Sequence, residues 1–484
     1  MTEDALTHCS SGVRQTHRCC MDPDAVFEDF FETFKYFFDV VFPVKVKPGA
    51  GVKNRPNVNK KQHKLPTTLD KSWYTPELKK IKQFVVLFFD LYKTAGSVAD
   101  KDKWYNFYLR AKKLYCSRLT AAKKRCNALY IEQAHNPCKA AWELVNSHRN
   151  KGRVATNLFS PMDFNNFFID SVREIVQSLP GSNVDPLSSL QVADVPRMSV
   201  WRDVSVDQVI RIVKNFKSST SQDVNGMTTN VLKAVIDVLA PPLVNVINFC
   251  LKSGVFPTVL KVSRTVPVYK KGDPDLLGNY RPISILPILS KVIESVMKCQ
   301  LVHHLESNNL LAEYQHGFRG GRSTTGAVLD ICERILAGFE AKNSVMLNLC
   351  DLSKAFDVVD HGILLAKLDL NGIQGVVHKT LFSYLDNRSQ AVSCGGATSD
   401  TLAITRGVPQ GSILGPVMFL IYINDLSLNG RTLLYADDTS LISSGNCIEA
   451  LKEESDNLLT QAKVWFAANK LKLNDEKLRI FYSA

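Results

Sequence analysis

Between Leu433-Leu434 and Thr439-Ser440-Leu441-Ile442 stand Tyr435-Ala436-Asp437-Asp438, two β-prone runs joined by a turn that carries two acids. The pattern reads as a hairpin with carboxylates at its tip. Adjacent carboxylates repel each other unless a cation lies between them. A third acid poses the same problem: Asp351 ends the apolar run Val345-Met346-Leu347-Asn348-Leu349-Cys350, 86 residues before Asp437. A carboxylate closing a buried strand is costly without a partner. With this strand beside the hairpin, Asp351 and Asp437 can clamp two metal ions about 4 Å apart. Mg2+ is the expected ion, with Mn2+ as a substitute, because hard cations take carboxylate and phosphate oxygens. Such a pair suits in-line phosphoryl displacement, with an attacking 3′-hydroxyl and a leaving pyrophosphate.

Between these acids lies Arg406-Gly407-Val408-Pro409-Gln410-Gly411-Ser412-Ile413-Leu414-Gly415-Pro416, followed by the apolar run Val417 to Ile423. Glycines at 407, 411 and 415 allow backbone to approach a ligand closely. Gln410 can hydrogen-bond a sugar or a base edge, and the apolar run reads as a helix that buries the back of the motif.

Charge narrows the partners. The chain of 484 residues carries +12 overall, yet residues 41–155 hold 25 Lys/Arg against 7 Asp/Glu. That +18 exceeds the total, so the basic region reads as a segment with its own job, and nucleic acid fits it best. Within it, Trp104, Phe107, Tyr108, Ala111, Leu114, Tyr115, Leu119, Ala122, Cys126 and Leu129 form one apolar stripe. Arg110, Lys112, Lys113, Lys123, Lys124 and Arg125 lie largely off it. The stripe reads as core packing and the basic face as a track for phosphates.

The twelve cysteines form no Cys-x-x-Cys pair, and His8, Cys9, His17, Cys19 and Cys20 crowd the N-terminus without closing a zinc site. They read as reduced thiols of an intracellular protein, nuclear or cytoplasmic, without secretory signal. The apolar run Val26 to Phe42 contains five charges, so it reads as an amphipathic helix docking on protein through Phe27, Phe30, Phe31, Phe34, Phe37, Phe38 and Val41 rather than as a membrane span.

Periodicity places a linker at Pro43–Thr68 and helices over Trp73–His148, Met162–Ser178, Asp207–Phe216, Ser290–Asn308 and Thr324–Ala341. It also places one or two helices over Asn230–Ser253, broken at Pro241-Pro242, and strands at Thr265–Tyr269 and Ser344–Cys350.

The strand ending in Asp351, the Gly-Val-Pro-Gln-Gly-Ser turn and Tyr-Ala-Asp-Asp stand in the order and spacing of a reverse transcriptase palm. More blocks agree: Pro267 to Asp273 with Asn279-Tyr280-Arg281-Pro282-Ile283-Ser284, Gln315-His316-Gly317-Phe318-Arg319 with Arg322-Ser323-Thr324, and Asn469 through Lys477. From about Asp203 to Tyr482 the chain resembles the reverse transcriptase of a non-LTR, jockey-like retrotransposon. The resemblance implies an α/β fold of the right-hand polymerase kind. Residues 1–70 would be a tail, amphipathic helix and linker, 71–200 a basic helical region, 201–343 the fingers and 344–484 the palm.

It also implies roles. Asp351, Asp437 and Asp438 resemble the catalytic acids and metal ligands, with the backbone carbonyl of Leu352 as a further ligand. Phe356 resembles the steric gate against a 2′-hydroxyl. Gln410 and Gly411 resemble residues touching the incoming nucleotide, and Lys270 and Arg281 those gripping its triphosphate. The implied partners are an RNA template, a DNA primer and dNTPs. The family pattern departs in three places. The stretch before Trp73 is too short for the usual endonuclease, which would then be supplied elsewhere. No thumb or primer grip is expected after Ala484, and Leu478 stands where the family usually shows Thr. The expected function is RNA-directed DNA synthesis, and the second reading is a catalytically inactive nucleic-acid-binding remnant. An RNA-directed RNA polymerase fits less well because of Phe356 and the Gln-Gly motif.

Overall fold

The structure, a computed structural model, describes residues 22–42, 73–134, 136–149, 159–188, 190, 195–428 and 430–483. The N-terminal His/Cys cluster and the linker expected at 43–68 lie outside the described residues. The chain divides into two compact units, residues 1–45 with 157–484, and residues 46–156.

The larger unit begins with α1 (Pro23–Val41), capped by Asp22. Its aromatic stripe docks as the sequence indicated: Phe27, Phe30, Phe31 and Phe34 are buried in the main core, while Val41 at the helix end is exposed.

The smaller unit contains α2 (Pro76–Thr94), α3 (Val98–Glu132) and α4 (Pro137–Arg149). An aromatic seam joins α2 to α3, with Phe88 stacked on Trp104 and Phe107 and Phe89 against Tyr108. The stripe on α3 is nevertheless not a core. No residue of α3 is buried, and Leu114 is half exposed. A helix of 35 residues paired with one of 19 has too little partner surface to cover such a stripe, so packing falls short of what the periodicity implied.

The rest of the larger unit runs through α5 (Pro161–Gln177), α6 (Val206–Asn215), α7 (Thr229–Ser253), β1 (Val262–Tyr269), β2 (Tyr280–Ile285), α8 (Ile288–Ser307), α9 (Thr324–Glu340) and β3 (Ser344–Cys350). It continues with α10 (Ala355–Val358), α11 (His361–Leu370), α12 (Gly375–Leu385), β4 (Arg388–Cys394), β5 (Ala397–Thr398), β6 (Leu402–Ile404) and α13 (Gly415–Ile423). The last elements are β7 (Thr432–Tyr435), β8 (Asp438–Gly445), α14 (Ile448–Ala468) and β9 (Arg479–Ser483). This is an α/β arrangement with two sheets. One has the order β2-β1-β4-β5 with β6 also paired to β4, and the other has the order β7-β8-β3-β9.

The sequence expectation of a break at Pro241-Pro242 is not met: α7 runs unbroken through both prolines. Two prolines remove two backbone donors, but Leu239, Ala240, Leu243 and Val244 are buried on either side of the step, so packing supports the helix through it. This helix is long and apolar enough to cross a membrane. It serves here as a core helix, with Ile236, Leu243 and Ile247 fully buried.

The second sheet lies between helices. On β3, Gly338 of α9 approaches Val345 closely, while Asn348 donates to Ser455 Oγ of α14 at 2.8 Å. Residues of unlike parity face opposite sides of a strand, so α9 covers one face and α14 the other. That enclosure fixes the register that the site depends on.

Candidate active site

All strands of the second sheet pair antiparallel. Cys350 pairs with Thr439 and Tyr435 with Asp438, leaving Ala436-Asp437 as a two-residue turn. The residue after Cys350, Asp351, therefore comes level with Asp438. The sheet thus brings together the three acids singled out from the sequence. Burial, with Asp351 close by, raises the Asp437 carboxyl above the usual range, against the pull of Lys477 and Arg281. Asp438 is raised by burial and by the charges of Asp437 and Asp351, with Lys477 again opposing.

A cation already stands among these acids. Lys477 Nζ donates to Asp351 Oδ2 at 2.5 Å. Lys270 joins the group from the end of β1. Its ammonium is held below the usual range by partial burial and by the neighbouring charges of Arg281, Lys477 and Lys271, with Asp351 opposing. Arg281 sits on β2 opposite Val268 and is exposed. Three acids and three cations thus share one end of the two sheets. The acids do not form a closed cage: among the described residues, no group of three His, Cys, Asp or Glu side chains converges as a ready metal site. The donor set is nevertheless hard oxygen throughout, and Lys477 occupies a position where a positive charge is stabilised.

The hairpin tip is latched from behind. Ala436 takes the left-handed region at φ 59°. Its N–H donates to Gln315 Oε1 at 3.0 Å, and Gly317 N–H donates to the same oxygen at 2.7 Å. His316 N–H donates to Leu434 O, and Leu434 N–H to Tyr314 O, both at 2.8 Å. A methyl group on Gly317 would run into Ala436 N. The Gln-His-Gly block is thereby explained, since only a side-chain-free residue fits against the turn that carries Asp437.

Leu352, the expected carbonyl ligand, is buried and bridged to Leu473. Phe356 stacks on Phe419 with centroids 4.5 Å apart and meets Phe318 edge-on, so its ring is fixed by core and loop together. Gln410 is held by Asp357, to whose two oxygens Nε2 donates at 2.8 and 2.9 Å. The glycines of this turn approach protein rather than open space. A methyl at Gly407 would meet the Asp357 backbone, and one at Gly411 would meet Ser284 O at 2.5 Å. Their φ values of 82° and 107° add a second reason for glycine. The close approach read from the sequence as made for a ligand is thus made to β2 and α10.

Three residues at the site carried no assigned role in the sequence reading. Fully buried Glu294 accepts from Ile413 and Leu414 N–H at 2.7 and 3.2 Å and so fixes the start of α13. Gln315 latches the hairpin. Asp357, whose carboxyl burial pushes up to about 6, orients Gln410. For Asp357 and Glu294 the one local signal was an acid set among apolar neighbours, while Gln315 had none. With Arg388, Arg406 and residues of α5 and β6, Gln410 and Asp357 line a cleft of about 180 Å3.

A double-sheet α/β unit with carboxylates at adjacent strand ends, faced by cations, has the donors to hold hard metal ions and phosphates. Residues 268–484 match the family model for reverse transcriptase (RNA-dependent DNA polymerase). Among relatives, a probable RNA-directed DNA polymerase from transposon BS of Drosophila melanogaster is 29% identical over 57% of this chain and 32% of its own length. The corresponding protein from the X-element of the same organism is 32% identical over 42% of this chain and 23% of its own. The Pol polyprotein of the type-1 retrotransposable element R1 of Bradysia coprophila is 25% identical over 84% of this chain and 41% of its own. The chain thus spans about a third or less of the length of the first relatives it matches. Residues 268–484 are similar to a reverse transcriptase domain, and the chain is similar to proteins named RNA-directed DNA polymerase of transposons and mobile elements.

Proposed function

We propose that this chain is the RNA-directed DNA polymerase of a non-LTR retrotransposon, extending a DNA primer on an RNA template with dNTPs. The observation that carries the reading is the β3–β8 register, which puts Asp351 level with Asp437-Asp438 while Lys270, Arg281 and Lys477 face them. In this reading β3, β7, β8 and β9 form the palm and the β1–β2 hairpin belongs to the fingers. Asp351, Asp437 and Asp438, with Leu352 O, would hold Mg2+ ions together with substrate phosphates. Bound there, Mg2+ supplies Lewis-acid stabilisation of charge at the transferred phosphorus. Lys270 and Arg281 bind the triphosphate, because fixed cations need no reorganisation as charge develops. Phe356, immobilised on Phe419, presents a wall that leaves a ribose 2′-hydroxyl without a partner. A nuclease for target cleavage would come from elsewhere in the element.

Primer extension on poly(A)·oligo(dT) with Mg2+ and dTTP tests this. The wild type should extend, and Asp437→Ala with Asp438→Ala should lose activity by roughly a hundredfold or more. If neither extends while both bind the duplex in a salt-sensitive manner, the polymerase reading fails and nucleic-acid binding is what remains.

A further inference from the structure

β4 opens with a charge that the protein leaves unanswered. Arg388 is 3% exposed and pairs with Ile404 of β6. Its Nη1 donates to Tyr384 O, a neutral acceptor, at 3.0 Å, and the guanidinium lies 4.8 Å from the centre of the Tyr384 ring. Its Nη2 is buried without a hydrogen-bond partner, and among the described residues no carboxylate forms an ion pair with it. A lysine there would shed its proton, but a guanidinium cannot. A buried charge left in this way is costly unless something compensates it.

Parity puts the Arg388 side chain on the same face of β4 as that of Gln390, whose Nε2 donates to Asn165 Oδ1 of α5 at 3.0 Å. The cleft of about 180 Å3 is lined by α5 and by this face, Arg388 included. The other charged side chains around it have partners. Arg173 donates to Asp170 at 2.8 Å and Arg406 to Asp360 at 2.7 Å. Both oxygens of Asp357 accept from Gln410. His361 Nε2 donates to Gly407 O at 2.8 Å, and burial lowers the pKa of this ring, so it adds little charge at neutral pH. Most of the remaining wall is hydrocarbon, from Phe168, Val172 and Val176 of α5, Pro282 of β2, Ile404 of β6 and Val408.

We propose that this cleft binds a small organic monoanion, an apolar body bearing one carboxylate, with the carboxylate on Arg388 and the body against α5 and β6. The proposal stands apart from the polymerase reading, since none of Asp351, Asp437 and Asp438 lines the cleft. Sites for small molecules are mostly apolar, with a few polar groups that set orientation. One unmatched positive charge calls for one negative charge. A phosphate monoester, close to doubly charged at neutral pH, would bring its second charge into a cleft that already holds Asp357. A nucleic-acid phosphodiester is singly charged, but it would lay polar sugar oxygens against hydrocarbon. A carboxylate gains a charge-assisted hydrogen bond from Nη2, and burial of its apolar body supplies the rest of the affinity.

Saturation-transfer NMR titrations of the full chain with 2-naphthoate, 2-naphthol and inorganic phosphate test this. The wild type should bind 2-naphthoate saturably, and 2-naphthol and phosphate at least about tenfold more weakly. Arg388→Met should weaken 2-naphthoate by about tenfold or more and leave 2-naphthol unchanged, a split that a merely structural arginine would not produce. Val172→Phe, which fills the cleft and leaves Arg388 alone, should weaken both. Should Arg388→Met lose its cooperative melt, Val172→Phe and the comparison of 2-naphthoate with 2-naphthol decide. No binding by the wild type would mean that water alone satisfies Nη2, and it overturns the proposal. Wild-type affinity for 2-naphthol or phosphate equal to that for 2-naphthoate overturns it too, as does undiminished 2-naphthoate binding in a folded variant. Displacement of 2-naphthoate by single-stranded oligo(A) would assign Arg388 to a nucleic-acid backbone instead and overturn it as well. A chain that extends no primer yet binds 2-naphthoate as expected refutes the polymerase reading alone.

Discussion

Asp357 shows what a buried carboxylate costs the fold. Burial raises its carboxyl from an ordinary value near 4 to about 6, against the opposing pull of Lys354 and Gln410. The folded chain therefore holds this proton more tightly than the unfolded chain does. Its stability contribution is fullest below about pH 4 and is lost as pH rises through about 6, a cost of roughly 3 kcal/mol in the charged state. Asp357→Asn should accordingly raise the denaturant midpoint at pH 7.5, with the gain shrinking towards pH 4. Equal or lower stability of the variant at pH 7.5 would refute this account. Its two oxygens meanwhile accept from Gln410 Nε2. Legibility at this scale was uneven. Asp351, Asp437 and Asp438 stood out because acids beside β-prone runs are costly without a partner. Asp357 and Glu294 did not, since their reasons lie on segments 53 and 119 residues away.

At the scale of elements, the β7–β8 hairpin depends on a segment more than a hundred residues upstream. Gln315 and Gly317 meet Ala436, and the backbone of Tyr314 and His316 pairs with Leu434. Gly317→Ala should displace the tip that carries Asp437, since the added methyl would meet main chain, which cannot swing aside as a flexible side chain can. A fall of at least about tenfold in primer extension is expected, with a stability loss on the order of 1–3 kcal/mol. Wild-type extension rates in this variant would show that the latch is not needed. The elements themselves were largely readable. The strand Ser344–Cys350 falls where the apolar run placed it, and α5, α6, α8 and α9 agree with their periodic stretches to within two residues. The α7 prolines misled because local propensity counts the lost hydrogen bonds, whereas the helix answers to packing on both flanks.

For the whole molecule, the basic helical unit is the feature whose purpose the site does not explain. Its α3 carries Lys112, Lys113, Lys124 and Arg125 exposed, beside aromatic side chains that its single long partner leaves partly uncovered. If this face follows phosphates, replacing those four residues with Ala should weaken binding to poly(A)·oligo(dT). It should also reduce the slope of log affinity against log salt by up to about 3. An unchanged slope in fluorescence anisotropy across a salt series would place the nucleic-acid contacts elsewhere.

The sequence by itself carried the resemblance to reverse transcriptases through its ordered motif blocks, and it singled out the three acids and most helices, because these are written in short-range patterns: alternation, turn chemistry and acids that demand a cation. Tertiary structure alone decided which glycines serve the protein's own backbone, that α3 lacks a core, and that Lys477 pairs with Asp351. It alone joined Asp357 to Gln410 and Gln315 to Ala436. Such pairings join residues tens to hundreds of positions apart, and hydrogen-bond partners at that separation are set by how strands register and helices pack.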